Sequence, residues 1–300
     1  MRRKIAVIFV AMTVYNLPTD PRFNVLLTGD LDFVEEFAAI LDAKSVPFSI
    51  LPPMDEVDEM DMHLDLIDQD FQDGTTQPEI YGPYADRVVY DIRTAAGSFT
   101  HIVDLSVGTP FERKIGLEVA GSINPRATII ASSLTNTATE LGFLGNVINR
   151  IVGIGLVPSM MSSVTIVEVA PGLNTTEDHR ARAEALLAAL GYTTERVEDR
   201  VGLVQLRVLV TIINEAAFSV MEGVASPEDI DKAMMLGTNY PKGPLAWADE
   251  IGLPVVTLIL EGLYREYGQE RYRPCVLLKQ YMRAGWNGKA AGRGFHTYQA

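Results

Sequence analysis

Few side chains of the types that usually carry chemistry occur in this 300-residue chain. Its single cysteine, Cys275, can form no internal disulfide and excludes a thiolate metal cluster. No histidine stands near Cys275 in the sequence, which favours a buried, inert thiol over a nucleophile. The four histidines are scattered, and each is interpreted as an ordinary side chain rather than as a general base. They are His63, His101, His179 and His296.

A lone glutamate is one candidate for acid–base chemistry. Glu168 stands in a strand-like run at residues 165–170. A glutamate in a desolvated cleft can have a raised pKa and exchange protons near neutral pH. Glu168 together with Ser132 or Thr135 would then support a reaction. The alternative is a structural carboxylate that caps a neighbouring backbone group.

Strand-like and helix-like segments alternate over the first two thirds of the chain, which is typical of an α/β domain with a mostly parallel sheet. From about residue 199 only helical patterns follow, so we predict an α/β domain over 1–198 and an all-α domain over 199–300. The helix at 203–224 is apolar around most of its circumference, which predicts central burial in a bundle. Strands are predicted at 5–10, 24–27, 46–51, 88–90, 101–105, 127–131, 151–155 and 165–170, and the other helices at 32–44, 111–120, 176–190, 226–237, 253–267 and 275–284.

Charge and hydropathy exclude several classes of partner. The chain has 39 acidic and 25 basic residues and a formal charge of −14, which disfavours nucleic acids and anionic lipid surfaces. Its longest apolar runs are shorter than the roughly 18 to 20 residues of a membrane span. Residues 1–16 lack a signal-peptide cleavage pattern. We therefore expect a cytoplasmic protein without a membrane span. The acidic segment 54–73 is interpreted as a solvated loop, with a site for a cation or a basic partner as the alternative.

Several blocks in the last hundred residues closely resemble the helical domain of the 3-hydroxyacyl-CoA dehydrogenases. Upstream, 127–141 is similar to a serine-containing segment of that family, and 166–169 to its strand with the sequence LVEVV. The C-terminal blocks are NEA at 214–216, EGVASPEDID at 222–231, YPKGP at 240–244 and GRGF at 292–295.

The resemblance implies a Rossmann-like domain that binds NAD, a helical domain that pairs in a homodimer, and a His–Glu pair that moves a proton during hydride transfer. Glu168 matches the glutamate, and Ser132 is the best match for a substrate-contacting serine hydroxyl. The histidine position falls at Gly155 or Leu156, neither of which can accept a proton. The position of the substrate-contacting asparagine falls at Leu206.

The cofactor and ligand residues that the resemblance implies are also only partly present. A dinucleotide site needs glycines after the first strand. A first strand at 5–10 is followed by no glycine, whereas a first strand at 24–27 is followed by Gly29 alone, among acidic residues. Asp55 is the candidate for the acid that binds the ribose. Arg113 and Lys114 are candidates for holding the phosphates of an acyl-CoA.

Three functions follow from these matches and departures. The favoured hypothesis is a divergent family member with absent or very weak NAD-dependent hydride transfer that binds an acyl-CoA-like ligand or a partner subunit. The first alternative is a functional NAD-dependent 3-hydroxyacyl-CoA dehydrogenase. The second alternative is a changed reaction that uses Glu168 as acid or base. No metal is expected, and NAD is expected only through the resemblance.

Overall fold

The computed structural model describes residues 22–52, 81–89 and 98–299. The predicted strand at 5–10, the acidic segment 54–73, His63 and Asp55 lie outside these residues. The strands are β1 (Val25–Gly29), β2 (Phe48–Ile50), β3 (His101–Leu105), β4 (Thr128–Ser132), β5 (Ile151–Ile154), β6 (Ile166–Pro171) and β7 (Thr193–Arg196). The helices are α1 (Leu31–Ala43), α2 (Pro110–Ile123), α3 (Ala138–Leu144), α4 (Glu177–Ala189), α5 (Gln205–Met221), α6 (Pro227–Thr238), α7 (Pro244–Ile251), α8 (Leu253–Tyr267) and α9 (Val276–Arg283).

The described strands form one sheet in the order β2-β1-β3-β4-β5-β6-β7. Every neighbouring pair is parallel except β5 and β6. All residues of β1, β3 and β4 are buried, as expected for parallel strands with both faces covered. The predicted α/β fold with a mostly parallel sheet is thus confirmed, and the chain continues into the helical part formed by α5 to α9.

Three elements were missing from the sequence prediction. The strand β7 has no fully buried residue and the polar sequence TTER, so it lacks the alternating apolar pattern that marks a strand. The helices α3 and α7 have 7 and 8 residues, too few for a helical period to be recognised. Conversely, the strand predicted at 88–90 is described only at residues 88 and 89, where Val88 forms an isolated bridge with Ile50.

The helix predicted at 203–224 lies centrally among the helices, since α5 contacts α6, α7, α8 and α9, but it is not buried on all sides. Its inner face packs through Leu206, Val210 and Ile213. Its outer face leaves Val208 54% and Met221 43% exposed. An apolar circumference therefore does not mean burial on all sides within one chain. No helix in the described ranges has the length and apolar character needed to cross a bilayer.

One glycine decides how closely the two central strands approach each other. Gly29 ends β1 with a φ of 130°. A Cβ at Gly29 would lie 2.5 Å from the carbonyl carbon of Leu105 and 2.6 Å from the amide nitrogen of Ser106. Both neighbours are backbone atoms at the end of β3, so the strands would have to separate to admit a side chain.

Replacing Gly29 with alanine is expected to lower the free energy of unfolding by about 2 to 3 kcal/mol, because the substitution adds backbone strain and overpacking. Urea denaturation measures the loss. Gly116→Ala in α2 is the matched control, since a Cβ there meets nothing within 4 Å and a helix favours alanine. Equal stabilities of the two variants would contradict this role of Gly29.

Candidate functional site

The crevice between the carboxyl ends of β1 and β3 is the place where this fold class binds ligands. Strand order reverses there, because β2 lies on one side of β1 and β3 lies on the other. Asp30, which follows Gly29, accepts a hydrogen bond from the Val107 amide at 3.0 Å between Oδ2 and N. The crevice is therefore spanned by a carboxylate of the chain itself.

The described residues of this crevice do not fit the pyrophosphate of a dinucleotide. Gly29 ends the strand at the predicted register and is the only glycine before α1 begins at Leu31. Leu31 packs against the core, and Val34 is fully buried in it. The N-terminal turn of α1 thus carries side chains and the Asp30 carboxylate where a phosphate needs bare backbone amides. Gly29 serves the close approach of β1 and β3.

Asp30 has an unusual protonation equilibrium. The pKa of its carboxyl is raised from 3.8 to about 6, chiefly by burial and in smaller part by the nearby Asp104 carboxylate. The hydrogen bond from Val107 and the charge of Arg113 oppose this shift. A carboxylate that is already costly to ionise in the crevice would be disfavoured again beside a phosphate.

Arg113 is not placed to bind a ligand, which corrects the prediction made for it. Its guanidinium is buried and donates from Nη2 to Asp104 Oδ2 at 2.7 Å and from Nη1 to the Ser132 carbonyl at 2.8 Å. A phosphate would have to displace Asp104 in the interior. Lys114, the next residue of α2, is exposed and lies 3.9 Å from Glu118. The two cations therefore face different surroundings and do not form one site.

Glu168 holds the start of α5. Its Oε2 accepts from the Val204 amide and its Oε1 from the Gln205 amide, each at 3.1 Å. Val204 is the N-cap residue of α5 and Gln205 is its first residue, so neither amide has a partner within the helix. This geometry matches the structural alternative predicted for Glu168, in which the carboxylate caps neighbouring backbone groups.

Gly155 lies beside this carboxylate. A Cβ at Gly155 would be 3.8 Å from Glu168 Oε2 and 3.1 Å from Leu203 Cδ1. Of the two positions at which the sequence places the expected base, Gly155 is thus the one next to Glu168. Leu203 occupies the space that a larger side chain at Gly155 would enter, so an apolar group lies where a proton acceptor would be needed.

Ser132 and Glu168 are not brought together, which corrects their predicted pairing. Ser132 pairs with Ile154, and Ile154 pairs with Val169, so these three side chains leave the same face of the sheet. Glu168, one residue before Val169 in the same strand, points to the opposite face. Thr135 is buried and donates to the Gly108 carbonyl at 2.8 Å. Neither hydroxyl bonds to the Glu168 carboxylate.

The described histidines are engaged elsewhere. His101 is buried beside Thr100 and the Arg182 carbonyl, and burial lowers its pKa to about 4. His179 bonds to Thr128 Oγ1 at 2.8 Å, and His296 bonds to Asp231 at 2.8 Å in the helical part. None of these three rings is bonded to Glu168. Among the described residues, no group of three potential ligands could hold a metal ion.

Replacing Glu168 with glutamine is expected to lower the free energy of unfolding by about 1 to 2 kcal/mol. Glutamine offers one neutral oxygen in place of the two charged oxygens that each accept a backbone N–H group. Thermal unfolding followed by circular dichroism measures the loss. Glu118→Gln on the exposed face of α2 removes an equal charge without a cap and is the control. An unchanged melting temperature for the Glu168 variant would contradict the capping role.

A cationic cavity near Glu168 was not predicted from the sequence; its lining includes Val204, whose amide bonds to Glu168. Three arginines, Arg196, Arg200 and Arg207, line a cavity of about 590 Å³ beside the N-terminal turn of α5. They fall within twelve residues of a strongly acidic chain. That local excess of positive charge is visible in the sequence, but only the fold shows that the three arginines line one cavity.

Comparison with known proteins identifies similar chains and folds. Residues 202–298 match the model of the family described as 3-hydroxyacyl-CoA dehydrogenase, C-terminal domain. A Bacillus subtilis protein named "Probable 3-hydroxybutyryl-CoA dehydrogenase" is 43% identical over 178 residues, which are 59% of this chain and 62% of that protein. A 3-hydroxybutyryl-CoA dehydrogenase of Bradyrhizobium diazoefficiens is 33% identical over 65% of this chain and 68% of its own length. These matches therefore span less than two thirds of the first relative and slightly more of the second.

Solved structures extend the similarity to the whole fold. The crystal structure of Mycobacterium tuberculosis FadB2 has a TM-score of 0.74 at 23% identity and covers 92% of this chain and 98% of its own. The (S)-3-hydroxybutyryl-CoA dehydrogenase PaaH1 from Ralstonia eutropha has a TM-score of 0.69 at 26% identity, over 92% of this chain and 99% of its own. The first similarity, below 25% identity, concerns the fold alone.

Proposed function

Because this chain belongs to the 3-hydroxyacyl-CoA dehydrogenase family, we propose that it binds an acyl-CoA-like ligand and carries out NAD-dependent hydride transfer very weakly or not at all. The observation that carries this proposal is the pair formed by Gly155 and Glu168. Glycine stands beside the carboxylate where a proton acceptor is needed, and both Glu168 oxygens accept backbone amides of α5. Loss of a general base alone removes a factor of about 10² to 10⁴ in rate.

The crevice between β1 and β3 supports the same proposal independently. Asp30 spans it, and Leu31 and Val34 occupy positions where a dinucleotide site needs close backbone approach. No step of hydride transfer is therefore assigned to the described residues. Their role in the proposal is to hold a ligand beside the start of α5.

Two alternatives remain in competition with it. A functional NAD-dependent 3-hydroxybutyryl-CoA dehydrogenase is favoured by the names of the relatives from Bacillus subtilis and Bradyrhizobium diazoefficiens. A changed reaction would use Glu168 as acid or base. Each oxygen of its carboxylate already accepts a backbone amide at the start of α5, so a proton from a ligand would be accepted at the second lone pair of either oxygen.

Calorimetric titration with butyryl-CoA and with NADH, sensitive to dissociation constants up to about 100 μM, tests the proposal. We expect heat from butyryl-CoA, none from NADH, and no NADH oxidation in the presence of acetoacetyl-CoA. Binding and oxidation of NADH would support the dehydrogenase instead. Turnover that Glu168→Gln abolishes would support the acid–base alternative, and absence of butyryl-CoA binding would contradict the proposal.

The proposal includes a homodimer formed through the helical part. Val224 and Leu236 are 70% and 77% exposed on this part of the chain, and large exposed apolar side chains there favour contact with another protein surface. Sedimentation velocity at micromolar concentration is expected to give a dimer. A stable monomer would contradict the homodimer and direct attention to a different partner subunit.

A further inference from the structure

The cavity beside the start of α5 concentrates positive charge in an acidic protein. Its charged lining consists of Arg196, Arg200, Arg207 and one carboxylate, Glu198. The net charge of these four side chains is +2, whereas the whole chain has a formal charge of −14. A concave surface focuses such a charge difference, so this cavity attracts anions that most of the protein repels.

The three guanidinium groups remain available to a ligand. In the described part of the chain, none of them lies within 4 Å of a carboxylate oxygen. Arg207 is positioned over the rings of Tyr267 and Tyr272, at 4.4 and 5.2 Å from their centroids. Arg200 donates from Nη1 to the Asp199 carbonyl, and the side chain of Arg196 is exposed. Unpaired arginines with a fork of donors suit phosphate oxygens.

An apolar wall joins this charge to the site of the proposed function. Val204 and Val208 line the cavity and are each 54% exposed. Leu203 lines it too and is the residue next to the Cβ position at Gly155. The Val204 amide bonds to Glu168. A ligand with a phosphate end and an apolar end can therefore occupy the cavity and extend toward Glu168.

We propose that the pocket formed by Arg196, Arg200 and Arg207 is a phosphate-binding subsite, and that it holds the phosphates of the acyl-CoA-like ligand. This inference rests on the proposed function for the identity of the ligand. These arginines, rather than Arg113, which is buried against Asp104, would supply the positive charge that holds the phosphates. The same chemistry would also accept a free phosphate compound, so the test separates the two sources.

The test compares three probes by calorimetry: butyryl-CoA, S-butyryl-pantetheine, which has no phosphate group, and inorganic pyrophosphate. The variant is Arg196→Gln/Arg200→Gln, which changes two exposed side chains and leaves the stacked Arg207 in place. Arg283→Gln, at the exposed end of α9, is the matched control for loss of an arginine charge. Circular dichroism verifies that each variant is folded.

We expect the double variant to bind butyryl-CoA about tenfold or more weakly, and S-butyryl-pantetheine as the wild type does. The Arg283 variant should match the wild type with every probe.

Undiminished butyryl-CoA binding by the double variant would overturn the subsite and leave the proposed function intact. If the wild type binds pyrophosphate through these arginines but no butyryl-CoA, the subsite stands with a free phosphate compound as its ligand and the proposed function fails. Binding of neither phosphate probe by the wild type overturns both.

Discussion

Replacing Arg113 with methionine is expected to lower the free energy of unfolding by about 3 to 5 kcal/mol. Arg113 is 3% exposed, and its guanidinium pairs with the carboxylate of Asp104, which is also 3% exposed. Methionine keeps most of the side-chain volume but leaves the Asp104 carboxylate without its counter-ion in the interior, and an unpaired buried charge is the costly outcome of breaking such a pair. Urea denaturation at pH 7 measures the effect.

The neighbouring lysine provides the control for this substitution. Lys114→Met removes an exposed charge from the same helix and is expected to change stability by less than about 0.5 kcal/mol. The comparison also tests function, because a phosphate-binding Arg113 would lose ligand affinity with little loss of stability. A variant Arg113→Met that is as stable as Lys114→Met would therefore contradict the structural role and restore the earlier prediction.

Arg113 and Lys114 show which features of the structure could be predicted from the sequence and which could not. Alternation of apolar strands and helices predicted the parallel sheet, because burial on both faces imposes a pattern that one chain reveals. Adjacent basic residues on one helix looked equivalent in the sequence. Whether a helix points a side chain inward depends on which strand end it packs against, and Asp104 lies on another element. Pairing across elements is not encoded in local spacing.

The candidate site was predictable to a similar degree. Glu168 and Gly155 were found through the resemblance, and the structure places them side by side. The incompatible faces of Ser132 and Glu168 depend on the register of three strands, which no motif specifies. The cationic cavity was not predicted because Arg196 and Arg207 belong to different elements, β7 and α5, which the turn before α5 brings together.

Replacing Asp30 with asparagine is expected to stabilise the protein at pH 8 by about 1 to 2 kcal/mol. Burial raises the pKa of Asp30 to about 6, so the folded state binds a proton more tightly than the unfolded chain does. Stability therefore falls as the pH rises from about 4 to about 6 and stays at the lower value above that range. The penalty on the ionised form is about 3 kcal/mol at about 1.4 kcal/mol per pKa unit. Asparagine avoids it but gives up the charge-assisted bond from Val107, which reduces the gain.

The sign of this effect across pH distinguishes it from ordinary removal of a surface charge. At pH 4 the folded wild type already has a protonated Asp30, so the variant and the wild type should be nearly equal in urea denaturation. Asp32→Asn is the control, because Asp32 is exposed in the first turn of α1 and its charge favours the helix N-terminus. That variant should be slightly less stable at pH 8, opposite in sign to Asp30→Asn. A destabilised Asp30 variant at pH 8 would mean that the crevice has a positive potential that stabilises the carboxylate, and such a potential would also favour a phosphate there.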